Sequence, residues 1–166
     1  MLQKVLKILH EVGAVGVMGA FAACLVLEFK GPAQPLIAYA AVRQAIAAIT
    51  QWLLLPSLVI VLLSGLLAIA ASGVYQNAAW VWVKASLGLG VFEGTLVTID
   101  ASARRAAELA SLAASGQGDA VQLAQVLRTE RGGLWLLLAL SLVNIVLAVW
   151  RPRLYPRTGS ASGLTS

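Results

Sequence analysis

WLLLPSLVIVLLSGLLAIAA (Trp52–Ala71) is an unbroken apolar run with no charged residue, long enough to cross the hydrocarbon core of a bilayer. Spanning takes roughly 20 apolar residues. Three further stretches have the same character: 5–27, 80–99 and 134–150. The chain is 166 residues long, 60% hydrophobic and only 11% charged, with a mean hydropathy of +0.86, so it has too little polar surface to coat a soluble globule. The expected fold is all-α: an integral membrane bundle of four transmembrane helices, with both termini on the same side. Residues 1–154 form its single domain and 155–166, rich in Ser, Gly and Thr, a mobile tail.

The breaks between spans are legible. Phe29-Lys30-Gly31-Pro32 ends the first helix, because proline has no amide hydrogen and a fixed φ. The first span reads as a retained helix, since it carries His10, Glu11 and Glu28 and no cleavage site precedes polar sequence. A helical pattern begins at Leu36 and runs through Arg43 into the second span, where Pro56 is a candidate kink. Gly73-Val74-Tyr75-Gln76-Asn77 is a short turn, and Trp80 and Trp82 open the third helix at interfacial positions. That helix continues as a polar extension through Arg104, Arg105 and Glu108 to a break at Ser115–Asp119, with Asp119 capping a helix over Ala120–Arg128. Arg151-Pro152-Arg153 stops the fourth span. Lysines and arginines are nearly balanced between the two faces, so they set no orientation. They are also scattered at helix ends instead of forming a patch, which argues against nucleic acid and for lipid headgroups as the partner of the net charge of +5.

Ionisable groups inside a span are costly, so the few present mark where function is to be sought. They are His10, Glu11, Lys84, Glu93 and Asp100, joined by the polar Asn144. His10 and Lys84 each lie about one turn inside the terminal face, and each has a glycine on its own helix face, Gly13 and Gly88. An imidazole beside a glycine-lined gap is what a flat macrocycle such as haem needs. The same small residues also permit close helix packing, as in Gly90-Val91-Phe92-Glu93-Gly94. Glu93 and Asp100 lie away from the Lys84 face, where another subunit would meet them, and Asp100 is close enough to the interface to reach water. Cys24 is the sole cysteine and reads as packing. No P-loop, dinucleotide fingerprint, zinc spacing or Ser/His/Asp set occurs.

Lys7-Ile8-Leu9-His10-Glu11-Val12-Gly13, Pro56 through Ser64-Gly65-Leu66, Trp82-Val83-Lys84 and Trp150-Arg151-Pro152 together resemble the HemJ-type protoporphyrinogen oxidases and their CopD-like relatives, including an uncharacterised group of small bacterial membrane proteins. The resemblance implies a bacterial cytoplasmic-membrane protein binding haem b or a porphyrin between helices 1 and 3. His10 would be the iron ligand, Lys84 a polar partner, Gly13 and Gly88 the room for the ring, and Arg151 a contact for propionates. The chain departs from the family at Leu27-Glu28-Phe29-Lys30 and Phe92-Glu93-Gly94, where family members carry Arg and His, and this points to the uncharacterised branch. The alternative expectation is a non-catalytic accessory or assembly subunit, forming a homo-oligomer or part of a larger membrane complex.

Overall fold

The computed structural model describes residues 1–30, 35–71 and 79–150, and these are almost wholly helical. Helix α1 is Leu2–Lys30 and α2 is Leu36–Ala70. Helix α3 covers 79–114, built from Ala79–Gly94, a π-helical stretch Thr95–Asp100, and Ala101–Ala114. Helix α4 is Ala120–Trp150. Three of them, Leu2–Phe29, Leu36–Ala70 and Ala120–Leu147, are long and apolar enough to cross a membrane; α3, with Lys84 and Glu93, is less apolar. The helix expected over Ala120–Arg128 and the span expected over 134–150 are one continuous helix that runs through Gly132 and Gly133. Arg151, the tail expected over 155–166, and residues 31–34 and 72–78, on which the expected turns fall, lie outside the described residues.

Contacts fix the helix directions. His10 meets Val61 and Ser64, Cys24 meets Thr50, and Glu28 meets Arg43, so α1 and α2 are antiparallel. Gly88 sits beside Asn144, Gly94 against Leu137 and Gly133 against Thr98, which makes α3 and α4 antiparallel as well. Gln44 donates to Ser111, joining the polar start of α2 to the end of α3. A shared core of Phe21, Cys24, Ile46, Leu54, Leu58, Val91, Ile99 and Leu134 links all four.

Glycine sets the closest approach. A Cβ on Gly13 would lie 2.8 Å from Val61 Cγ2 and 3.0 Å from the Ser57 carbonyl, and one on Gly16 would collide with the Ser57 side chain. Pro56 does not simply kink α2. Thr50–Leu54, just before it, is a π-helical turn, and the wider turn relieves the clash between the proline ring and the carbonyl four residues back. The π segments of α2 and α3 both open on a fully buried threonine whose hydroxyl donates to the carbonyl four residues back: Thr50 to Ile46 and Thr95 to Val91.

The junction between α3 and α4 is capped on both sides. Gly116, at φ +80°, closes α3 as Gln117 N–H donates to Leu112 and Gly116 N–H to Ala113, the double bond of a Schellman motif. The Asp119 carboxylate accepts from the amides of Val121 and Gln122, as the sequence predicts for a cap. Outside, the bundle is strongly apolar: Ile8, Val12, Val15, Trp52, Leu63, Leu67, Leu136 and Val146 are all exposed. Patches of this extent need an apolar solvent or a partner.

Gly13→Leu is expected to force α1 from α2 and destabilise the bundle by about 1–3 kcal/mol, as overpacking does. Gly19→Ala, where an added Cβ meets nothing within 4 Å, is expected to be neutral or stabilising by roughly 0.5–1 kcal/mol. Thermal unfolding in a mild detergent checks both.

Candidate functional site

Two polar centres lie at opposite ends of the bundle. At the end holding the amino terminus, the half-buried His10 ring projects from α1 onto α2. Its Nδ1 lies 3.0 Å from the Val61 carbonyl and 3.2 Å from Ser64 Oγ. A carbonyl can only accept, so Nδ1 carries the proton and Nε2 is the basic nitrogen. Ser64 is held in turn by donating to Ile60 at 2.6 Å. Gly65 lies against the ring, where an added Cβ would be in van der Waals contact with His10 Cε1 at 3.4 Å. Lys84 on α3 is half-buried and within electrostatic range of His10 and Glu11.

The haem expectation meets this geometry unevenly. The donor chemistry fits, because an imidazole whose Nδ1–H is fixed by a backbone carbonyl presents Nε2 in the way metal-ligating histidines do. The cradle is another matter. The gap at Gly13 is closed by Val61 and Ser57 of α2, and Gly88 faces Asn144 of α4 at 3.9 Å from an added Cβ, so neither glycine opens a slot between α1 and α3. A groove of about 480 Å³ does exist, but it lies between α3 and α4, lined by Trp82, Val83, Ser86, Leu87, Gly90 and Leu140. Among the described residues, no group of three His, Cys, Asp or Glu side chains is placed to hold a metal ion.

At the opposite end, four charges from three helices meet inside the bundle. Arg43 of α2, only 1% exposed, donates from Nη1 to Glu28 Oε2 of α1 at 2.6 Å and from Nη2 to Glu130 Oε2 of α4. Arg131, half-exposed, donates to the other Glu28 oxygen at 3.2 Å. Two cations thus face two carboxylates. Arg43 Nε and Glu130 Oε1 are buried without a partner among the described residues. Removing one member of such a set strands a buried charge, whereas replacing a pair by apolar groups is far better tolerated.

The remaining singled-out residues separate. Asp100 is itself buried, and its carboxylate bonds the exposed Arg104 one turn further along α3 at 2.9 Å. Glu93 is exposed on the outer face of α3. The small pair Gly90 and Gly94 splits: Gly94 packs on Leu137, while a Cβ on Gly90 meets nothing within 4 Å.

Sequence reasoning did not single out Glu130, and it treated Glu28 and Arg43 as family departure and facial cation. A signal was present: Arg43 lies within LIAYAAVRQAIAAI, which contains no acid, so its partner has to come from another helix. Comparison with models of known families, with characterised proteins and with solved structures finds no match to this chain.

Arg43→Met is expected to cost about 3–5 kcal/mol, because Glu130 is left buried and uncompensated. The double variant Arg43→Met with Glu130→Leu, in which Glu28 keeps Arg131, is expected to recover most of that loss. Chemical denaturation of the three proteins in detergent measures it, and equal destabilisation by the single and the double variant would show that the cluster is not an electrostatic unit.

Proposed function

We propose that this chain is a four-span integral membrane protein with both termini on one face, working as a non-catalytic accessory or assembly subunit of a membrane complex. Three helices suited to a bilayer support the membrane reading, as does the apolar outer surface. Helix α3 joins these three as the third of four spans, because its first half lies antiparallel along the apolar part of α4, from Gly88 beside Asn144 to Gly94 against Leu137. The spans then sit between the polar centre at His10 and the charge cluster at Arg43.

The observation that carries the assembly reading is Glu93. It lies on the outer face of the proposed third span among exposed Leu89, Gly90, Leu96 and Val97, and no described residue partners it. Intramembrane carboxylates face a bundle interior, a wet cavity or another protein. An exposed one therefore calls for a neighbour. Solubilised in digitonin, the protein is expected to run as an assembly well above its 17.3 kDa monomer plus micelle. A monodisperse monomer under those conditions contradicts the reading.

A second reading rests on one specific observation, the Nδ1–H of His10 held by Val61, which leaves Nε2 for a ligand such as haem b or a porphyrin. Lys84 is the cation available to a carboxylate there. Absorption spectra of protein purified with haem supplied, oxidised and dithionite-reduced, test it beside His10→Ala at matched yield. A Soret band lost in the variant supports this reading; a colourless, folded wild type removes it.

A further inference from the structure

Basic residues are nearly balanced between the two ends of the bundle, but acidic residues are not. Of the seven, Glu28, Asp100, Glu108, Asp119 and Glu130 belong to the Arg43 end, Glu93 lies between, and Glu11 alone belongs to the end holding the amino terminus. The ion pairs among the described residues follow the acids. Arg43 pairs with Glu28 and Glu130, Arg131 with Glu28, Arg104 with Asp100 and Arg105 with Glu108, every one at the Arg43 end. Cations there are met within the chain.

At the amino-terminal end Lys4, Lys7 and Lys84 form no ion pair among the described residues, and Glu11 acts on Lys84 only from a distance. Lys4 and Lys7 are exposed and three residues apart on one face of α1, with His10 one turn further along that face. Lys84 sits half-buried near the start of α3, within electrostatic range of His10 and Glu11, which places the three lysines at one end of neighbouring spans. Its long apolar stem lets the ammonium rise toward the headgroups while the backbone stays deeper. Trp82, exposed two residues away, has the amphipathic ring that favours the same interfacial level.

We infer that this end of the bundle is a binding surface for anionic phospholipid, with Lys4 and Lys7 on the first span and Lys84 on the third meeting the phosphates of the surrounding leaflet. The inference rests on the four-span reading above and goes beyond it in naming the leaflet and the lipid class. Ammonium groups that no carboxylate of their own chain pairs are neutralised from outside it, and at headgroup depth the fixed negative charge is lipid phosphate. A zwitterionic lipid carries its own cation beside that phosphate, so a net-anionic lipid neutralises the surface better. Each lysine near such lipid favours association by roughly fivefold. At the Arg43 end Glu28, Asp100, Glu108 and Glu130 already fill that role, so the preference belongs to one leaflet.

The test is electron spin resonance of the full chain reconstituted in phosphatidylcholine, with spin-labelled phosphatidylglycerol or spin-labelled phosphatidylcholine as probe. The motionally restricted fraction reports lipid held at the protein surface. Wild type is expected to prefer phosphatidylglycerol by roughly threefold to tenfold in about 0.05 M salt, and by less in about 0.5 M salt, where the charges are screened. Lys4→Gln with Lys7→Gln, both at exposed positions near the end of α1, is expected to reduce the preference by about half or more, and added Lys84→Gln to reduce it further, with Lys84→Arg keeping it. Arg105→Gln with Arg128→Gln removes the same net charge from exposed positions at the other end and is expected to leave the preference unchanged.

Equal restriction of the two probes by wild type overturns the inference and leaves the membrane reading standing. A preference that survives loss of the lysines, or that follows Arg105 and Arg128 instead, also overturns it. Absence of a restricted component with either probe overturns the membrane reading, and the lipid surface with it.

Discussion

A guanidinium 1% exposed, inside a bundle whose outer surface is apolar, has to be met by fixed negative charge from neighbouring helices. Arg43 meets this constraint with Glu28 from α1 and Glu130 from α4, and so ties three helices at one level. Its pairing sets the register. With Glu28 opposite Arg43, the antiparallel run of α1 and α2 brings Cys24 to Thr50, Gly16 and Gly13 to Ser57, and His10 to Val61 and Ser64. The polar centre at the far end of α1 is therefore positioned from the charged end. A slip of one residue would move Gly13 and Gly16 off the Ser57 contact and drive side chains into α2.

Two irregular turns interrupt the second and third helices. Thr50 and Thr95 start the two π-helical segments, which touch one another in the core near Cys24. In α2 the widened turn lets the helix pass Pro56 and still present Arg43 inward, so the long helix stays continuous from Leu36 to Ala70. In α3 the segment ends on the buried Asp100, which bonds the exposed Arg104, while Glu93, before the segment, is exposed. Helix α3 is held to α4 by glycine contacts at Gly94 and Gly133 more than by charge.

The helices were legible in the sequence because apolar length and turn chemistry are local signals. Trp52–Ala71, the Asp119 cap and the break at Ser115–Gly118 needed no tertiary information. Helix limits were less so. Arg128, Glu130 and Arg131 look like the end of a span, yet α4 begins at Ala120, because a helix can leave the hydrocarbon without ending. The charge cluster was legible only in outline: an arginine without a nearby acid announces a distant partner but does not name it. The glycines were the least legible. Gly13 reads equally as space for a macrocycle and as space for a neighbouring helix, and only the position of Val61 and Ser57 distinguishes the two.

The claim on which the account most depends is that α3, the least apolar of the four helices, crosses the bilayer alongside the others. Single cysteines at Gln3 and Ser115, each probed in sealed cells and in inverted vesicles with a membrane-impermeant maleimide, test it directly, since Cys24 is buried and silent. Labelling of the two positions from opposite faces is the predicted result. Labelling of both from the same face would place α3 outside the membrane and contradict the four-span bundle.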